Sequence, residues 1–232
     1  MSSVPLQIWD SLALVWFALN WLGYTVFADW GSRRRRTLMA VTHDWRSQWL
    51  RKLLTRDMRM VDIQVVSAVI RSVVFFASTS LLILAGLAAV FGATDSVIRI
   101  VSTLPYTREV TQEWWELVLL ILFAIFVYAF FKFTWAVRQF NHLAYLVGAA
   151  PDPADATTPQ AQTFVEIASA VATMATKQFN RGLRAYYFGL AVLPWFIHPL
   201  FFAIATSGVV AVLYAREFHS GALKALRRID EL

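Results

Sequence analysis

Cysteine is absent from this sequence of 232 residues, which excludes disulfides, thiolate metal sites and cysteine nucleophiles and leaves no mark of a redox compartment. Charge is scarce as well. Asp, Glu, Lys and Arg make up 16% of the chain against 58% hydrophobic residues, too little polar surface to coat a soluble globule of this size. Enzymatic patterns are also missing: HExxH, the Walker A loop and GxSxG do not occur, and His43, His142, His198 and His219 show no metal-ligand spacing. No catalytic residue, no metal and no cofactor is therefore expected. The start of the chain lacks the basic flank and small-residue cleavage site of a signal peptide, so its first apolar run reads as a permanent span. Solenoid-type repeats are absent too.

What is present is apolar length. Residues 8–27, 65–90, 114–133 and 186–214 are each long and apolar enough to cross about 30 Å of hydrocarbon, which takes roughly 20 helical residues. Trp9, Trp30, Trp114, Trp115 and Tyr214 fall near the ends of these runs, at headgroup level. The expected fold is all-α: a polytopic membrane protein with four transmembrane helices, an amphipathic interfacial helix and a helical cytoplasmic layer, in a single membrane domain over 1–232. The formal net charge of +6 does not point to nucleic acid, because the basic residues sit at the ends of apolar runs rather than on one solvated domain.

Those basic residues orient the chain. Arg33, Arg34, Arg35, Arg36, Arg46, Arg51, Lys52, Arg56 and Arg59 lie between the first two spans, whereas the next connection offers only Arg99 and Arg108. Residues 31–64 and 134–185 are therefore expected in the cytoplasm and 91–113 outside, with an external N-terminus, in a multi-pass protein of the bacterial inner membrane. Anionic lipids at the cytoplasmic face are the expected partners, with Arg33–Arg36 as stop signal and lipid anchor. One feature resists this scheme: if 186–214 crosses fully, Arg216, Lys224, Arg227 and Arg228 end outside.

Between the spans the pattern is helical. From Val41 to Met58, Trp45, Trp49, Leu50, Leu53, Leu54 and Met58 recur at helical spacing, while Arg46, Arg51, Lys52 and Arg56 fall mostly on other faces. This predicts an amphipathic helix on the inner leaflet, or one whose apolar stripe packs on another cytoplasmic helix. Pro151, Pro153 and Pro159 mark a loop; a helix is predicted over about 161–180, with a break at Gly182, and a short external helix over about 96–103.

The last apolar run contains LPWFIHPLFF, residues 193–202. Pro194 and Pro199 each remove an amide donor and free the carbonyl four residues earlier, at Leu190 and Trp195. The run either crosses at a tilt or bends there and returns as a re-entrant hairpin; the crossing is favoured, because the part after Pro199 is itself nearly span length. His198, beside the freed carbonyls, is the sharpest candidate for a path or ligand, together with Pro194, Trp195, Pro199 and the deep Asn20. Asn180, Arg181, Arg184, Tyr186 and Tyr187 gather cations, an amide and phenols at the cytoplasmic entrance of the same run, a set suited to an anion or a lipid headgroup.

The segment FNRGLRAYYFGLAVLPWF, followed by YAREFHSGALKAL, resembles the signature of the bacterial and plant membrane proteins grouped as domain of unknown function 599. The signature positions are Asn180, Gly182, Arg184, Tyr186, Tyr187, Phe188, Trp195, Arg216, Glu217, Phe218 and Ser220. The resemblance implies membership and topology and no activity. The residues themselves suggest a homo-oligomeric membrane protein forming a channel or transporter for a small ion or solute, with its path near the proline-broken last span. Small residues at Ala85, Gly86, Ala88 and Ala89 would permit close packing between helices. The alternative is a non-catalytic membrane scaffold or lipid-binding protein.

Overall fold

The computed structural model describes residues 8–31, 37–101 and 111–229. Among these no strand occurs, and eight α-helices follow in order: α1 (Ile8–Gly31), α2 (Leu38–Leu54), α3 (Met60–Gly92), α4 (Thr94–Val101), α5 (Gln112–Gly148), α6 (Pro159–Val192), α7 (Pro199–Phe218) and α8 (Gly221–Ile229). Four stretches are long and apolar enough to cross a membrane: Ile8–Asp29, Met60–Gly92, Gln112–Gly148 and Pro199–Leu226. The expectations placed on Arg33–Arg36 and Arg108 fall outside the described residues.

The centre of the bundle is the antiparallel pair α5 and α6. Their 37 and 34 residues make helices of about 55 and 51 Å, well beyond a hydrocarbon core of about 30 Å. Thr111 and Thr158 start them, each hydroxyl accepting the amide N–H three residues on, from Trp114 and Ala161. α6 buries a seam of small side chains, Ala161, Ala168, Ala172, Ala175, Gly182, Ala185 and Gly189, spaced three, four or seven residues apart. Against it α5 sets Leu122, Phe126, Phe133, Phe140 and Val147. Close approach of this kind is what holds helices together where lipid removes the hydrophobic drive.

That seam corrects the prediction at Gly182. The helix does not break there but runs on to Val192, because a Cβ at Gly182 would lie 2.5 Å from the Phe133 ring. The glycine is a point of helix contact, and no breaker follows until Pro194.

α3 covers one flank of this pair through Val66, Val73, Ala77 and Ser80, and α1 and α7 cover the other. α1 buries only the stripe Asp10, Ala13, Phe17 and Tyr24, leaving Leu12, Val15, Trp16, Leu19 and Leu22 exposed. An apolar face of that extent is solvated by hydrocarbon, not by water. Ala85, Gly86, Ala88 and Ala89 on α3 are exposed and lie outside the packing within the chain.

The expected fourth span, 186–214, is not one helix. α6 ends at Val192, a 3-10 turn occupies Leu193–Phe196, and α7 begins at Pro199. The limbs run antiparallel, so that Arg216 near the end of α7 donates to the Tyr187 hydroxyl on α6, residues that a straight helix would hold about 43 Å apart. The favoured single tilted helix is thus replaced by two antiparallel limbs, of which the second, from Pro199, is itself long and apolar enough to cross. Pro199 explains the reversal: the residue before a proline is pushed to extended backbone, and His198 adopts φ −160° and ψ 141°. That conformation is an N-cap, and the imidazole Nδ1 accepts the Leu200 N–H at 3.1 Å. The Leu190 carbonyl freed by Pro194 takes the Leu193 N–H instead.

The turn is anchored by Trp195, 1% exposed, whose indole N–H donates to Asp10 Oδ1 at 2.8 Å and whose ring stacks on Phe202 at 4.6 Å. At the opposite end α2 lies along the first half of α6, where His43 meets Thr173 at 2.8 Å and Ser47 meets Ser169 at 2.7 Å. Leu50, Leu53 and Leu54 are buried, and Trp49 donates to Asp62 on α3 at 2.7 Å.

Candidate functional site

The polar groups of the bundle gather at its α2 end, where α1, α2, α6 and α7 meet. Asp29 closes α1 there and is gripped by two guanidiniums from successive turns of α6. Arg181 donates through Nε at 2.9 Å and Nη2 at 2.5 Å, and Arg184 through Nη2 at 2.9 Å. Arg184 spends its other nitrogens on the carbonyls of Thr25 and Asn180. This pair is structural: Arg184 is 7% exposed, and its charge is compensated in place.

Beside it opens a cleft of about 390 Å³. Tyr24 and Ala28 of α1, Leu38, Met39, Thr42 and Arg46 of α2, Thr176, Asn180, Leu183, Arg184 and Tyr187 of α6, and Leu213, Arg216 and Glu217 of α7 form its walls. Glu217 is held by the N-terminus of α2, accepting the Met39 N–H at 3.2 Å. Arg46 is different from its neighbours. Its Nη1 donates to Thr176 Oγ1 at 3.3 Å, but Nε and Nη2 are buried without a hydrogen-bond partner. Burial alone pushes the pKa of this guanidinium down, since the charge is withdrawn from water with no compensating group.

The electrostatic balance follows. Among the described residues, Arg46, Arg184 and Arg216 line the cleft with the carboxylate of Glu217, and behind it Asp29 takes Arg181 and Arg184. The cleft is therefore positive, with two nitrogens of Arg46 unspent, and an anion with two acceptor oxygens matches such a fork.

Several residues singled out from sequence come together here. Asn180, Arg184 and Tyr187 line the cleft, and Arg181 sits behind it on Asp29. Tyr186 does not join them: it points to the other side of α6, donating to the Phe76 carbonyl at 3.0 Å and meeting Ser80 Oγ at 2.9 Å. The other group is placed elsewhere. His198 is an exposed cap at the turn end of the bundle and not at mid-span, and Pro194, Trp195 and Pro199 build that turn. Asn20 bonds back to the Trp16 carbonyl at 2.9 Å on the α1 surface. Asp29, Tyr24 and Arg46 were missed as site residues. An acid at the end of a span, opposite two arginines of a later helix, was the available signal for Asp29; nothing in the spacing of α2 set Arg46 apart from Arg51 or Arg56.

Comparison with known proteins adds one finding. The model of a family described as Protein of unknown function, DUF599 matches residues 12–222. No curated protein and no solved structure matches the chain.

Proposed function

We propose that this chain, which belongs to the family described as Protein of unknown function, DUF599, is a non-catalytic membrane protein that binds an anionic group, a phosphate or a carboxylate, in the cleft at its α2 end. The observation that carries this reading is Arg46, a half-buried cation whose Nε and Nη2 are shielded from water and lack partners beside a cleft already rich in guanidinium. A buried donor left unsatisfied costs about 1–3 kcal/mol, more when charged, so a ligand that satisfies it binds with that gain.

The α2 end is the cytoplasmic one in this reading. The hairpin supports it, because it brings Arg216 to the end that holds Arg46, Arg181 and Lys177, whereas Arg99 lies at the other. The charged tail that conflicted with a full crossing then obeys the rule. A channel or transporter with its path at the turn has less support, since His198 is used as a cap and Trp195 as a buried anchor.

Thermal unfolding in a neutral detergent tests the proposal, with short-chain phosphatidylglycerol added in one arm and phosphatidylcholine of equal chain length in the other. A ligand at a hundred times its Kd adds about 2.7 kcal/mol, which raises Tm by about 5 °C or more at this size. The expected result is that rise with the anionic lipid alone, and its loss in Arg46→Ala, whose affinity falls about tenfold or more. Equal shifts with both lipids, or a wild-type shift in Arg46→Ala, would contradict it.

A further inference from the structure

A second, apolar recess lies next to the cleft. Tyr24 also borders a shallow groove between α1 and α7, lined by Trp16, Leu19, Gly23, Phe27, Val210 and Tyr214. From Phe27 back to Trp16 this groove follows 12 residues of α1, about 16 Å of helix, or roughly half of a hydrocarbon core of about 30 Å. A bridge closes its far end, where the Trp16 indole N–H donates to Ser207 Oγ at 3.1 Å. Asn20, the polar residue along it, turns its amide back to the Trp16 carbonyl.

We infer that the ligand is an anionic phospholipid of the adjacent leaflet, its phosphate on Arg46 and one acyl chain in the α1–α7 groove. The inference rests on the anion-binding reading of the cleft and adds the source of the anion. Three observations support it. Tyr24 walls both the groove and the positive cleft, so the two recesses are neighbours along α1. Its length is one leaflet deep, as a chain anchored at the headgroup level requires. Its walls are apolar and aromatic, which suits a chain and gives a soluble anion nothing to bind.

Gly23 provides the test. A Cβ there meets nothing within 4 Å, so Gly23→Leu starts its side chain in open space within the groove and replaces a poor helix former by a good one. Binding of phosphatidylglycerol with long chains, and of glycerol phosphate as the chainless probe, is measured for wild type, Gly23→Leu and Arg46→Ala in neutral detergent. The lipid is expected to bind wild type tightly and Gly23→Leu about fivefold or more weakly, with glycerol phosphate within about twofold between those two proteins, and Arg46→Ala weak toward both. Lipid affinity unchanged in Gly23→Leu, while Arg46→Ala still fails, would overturn the chain assignment and leave a soluble anion as the ligand. Unchanged binding of both probes in Arg46→Ala would overturn the anion site itself.

Discussion

At the scale of single residues, two arginines that line one cavity, Arg184 buried and Arg46 half-buried, carry opposite burdens. Arg184 has its charge matched by Asp29, and breaking such a pair leaves a buried cation, which costs about 3 kcal/mol or more. Asp29→Asn is therefore expected to lower Tm markedly, measured by thermal unfolding in neutral detergent. Arg46 has no such match, so Arg46→Ala is expected to leave Tm of the ligand-free protein unchanged or slightly raised while abolishing the response to anionic lipid. A pair of variants that destabilise equally would show that Arg46 is structural as well. Sequence reading found Asn180, Arg181, Arg184 and Tyr187 because they are neighbours on one helix near a span end. It did not find Arg46, since selecting it from the basic residues of α2 requires knowing which one the α6 surface shields from water.

At the scale of elements, the small-residue seam of α6 and the proline turn decide the architecture. Gly182→Ala puts a methyl into the Phe133 ring, and the overpacking is expected to cost about 1–3 kcal/mol, read as a lower Tm. His198→Ala removes the cap of α7 and is expected to cost about 1 kcal/mol with no change in lipid binding. A loss of binding or of ion flux in that variant would restore the turn as a functional site. The first three spans were legible because apolar length is written in the chain itself. The hairpin was legible only as the less favoured alternative: α6 carries Lys177, Arg181 and Arg184, which dilute its hydropathy, while the apolar run across Pro194 to Pro199 imitates one long span. A glycine in a helical pattern is equally ambiguous, since break and contact differ only in what lies opposite, here Phe133 from another helix.

At the scale of the whole molecule, the hairpin puts the loop at 149–158 and the segment after α7 at the same end of the bundle. Because the chain has no cysteine, single cysteines at Asp152 and Ser220 are clean reporters. Both are expected to react with an impermeant thiol reagent only when the cytoplasmic face is open to it; opposite sidedness of the two would break the hairpin arrangement. The central claim is that a half-buried arginine with two unsatisfied nitrogens makes this bundle a receptor for one anionic headgroup. Its most direct measurement is native mass spectrometry of the protein released from nanodiscs of equal phosphatidylglycerol and phosphatidylcholine. The account predicts one retained lipid per chain, enriched in phosphatidylglycerol for wild type and not for Arg46→Ala. Lipid retained without headgroup preference, or with the same preference in both proteins, would contradict it.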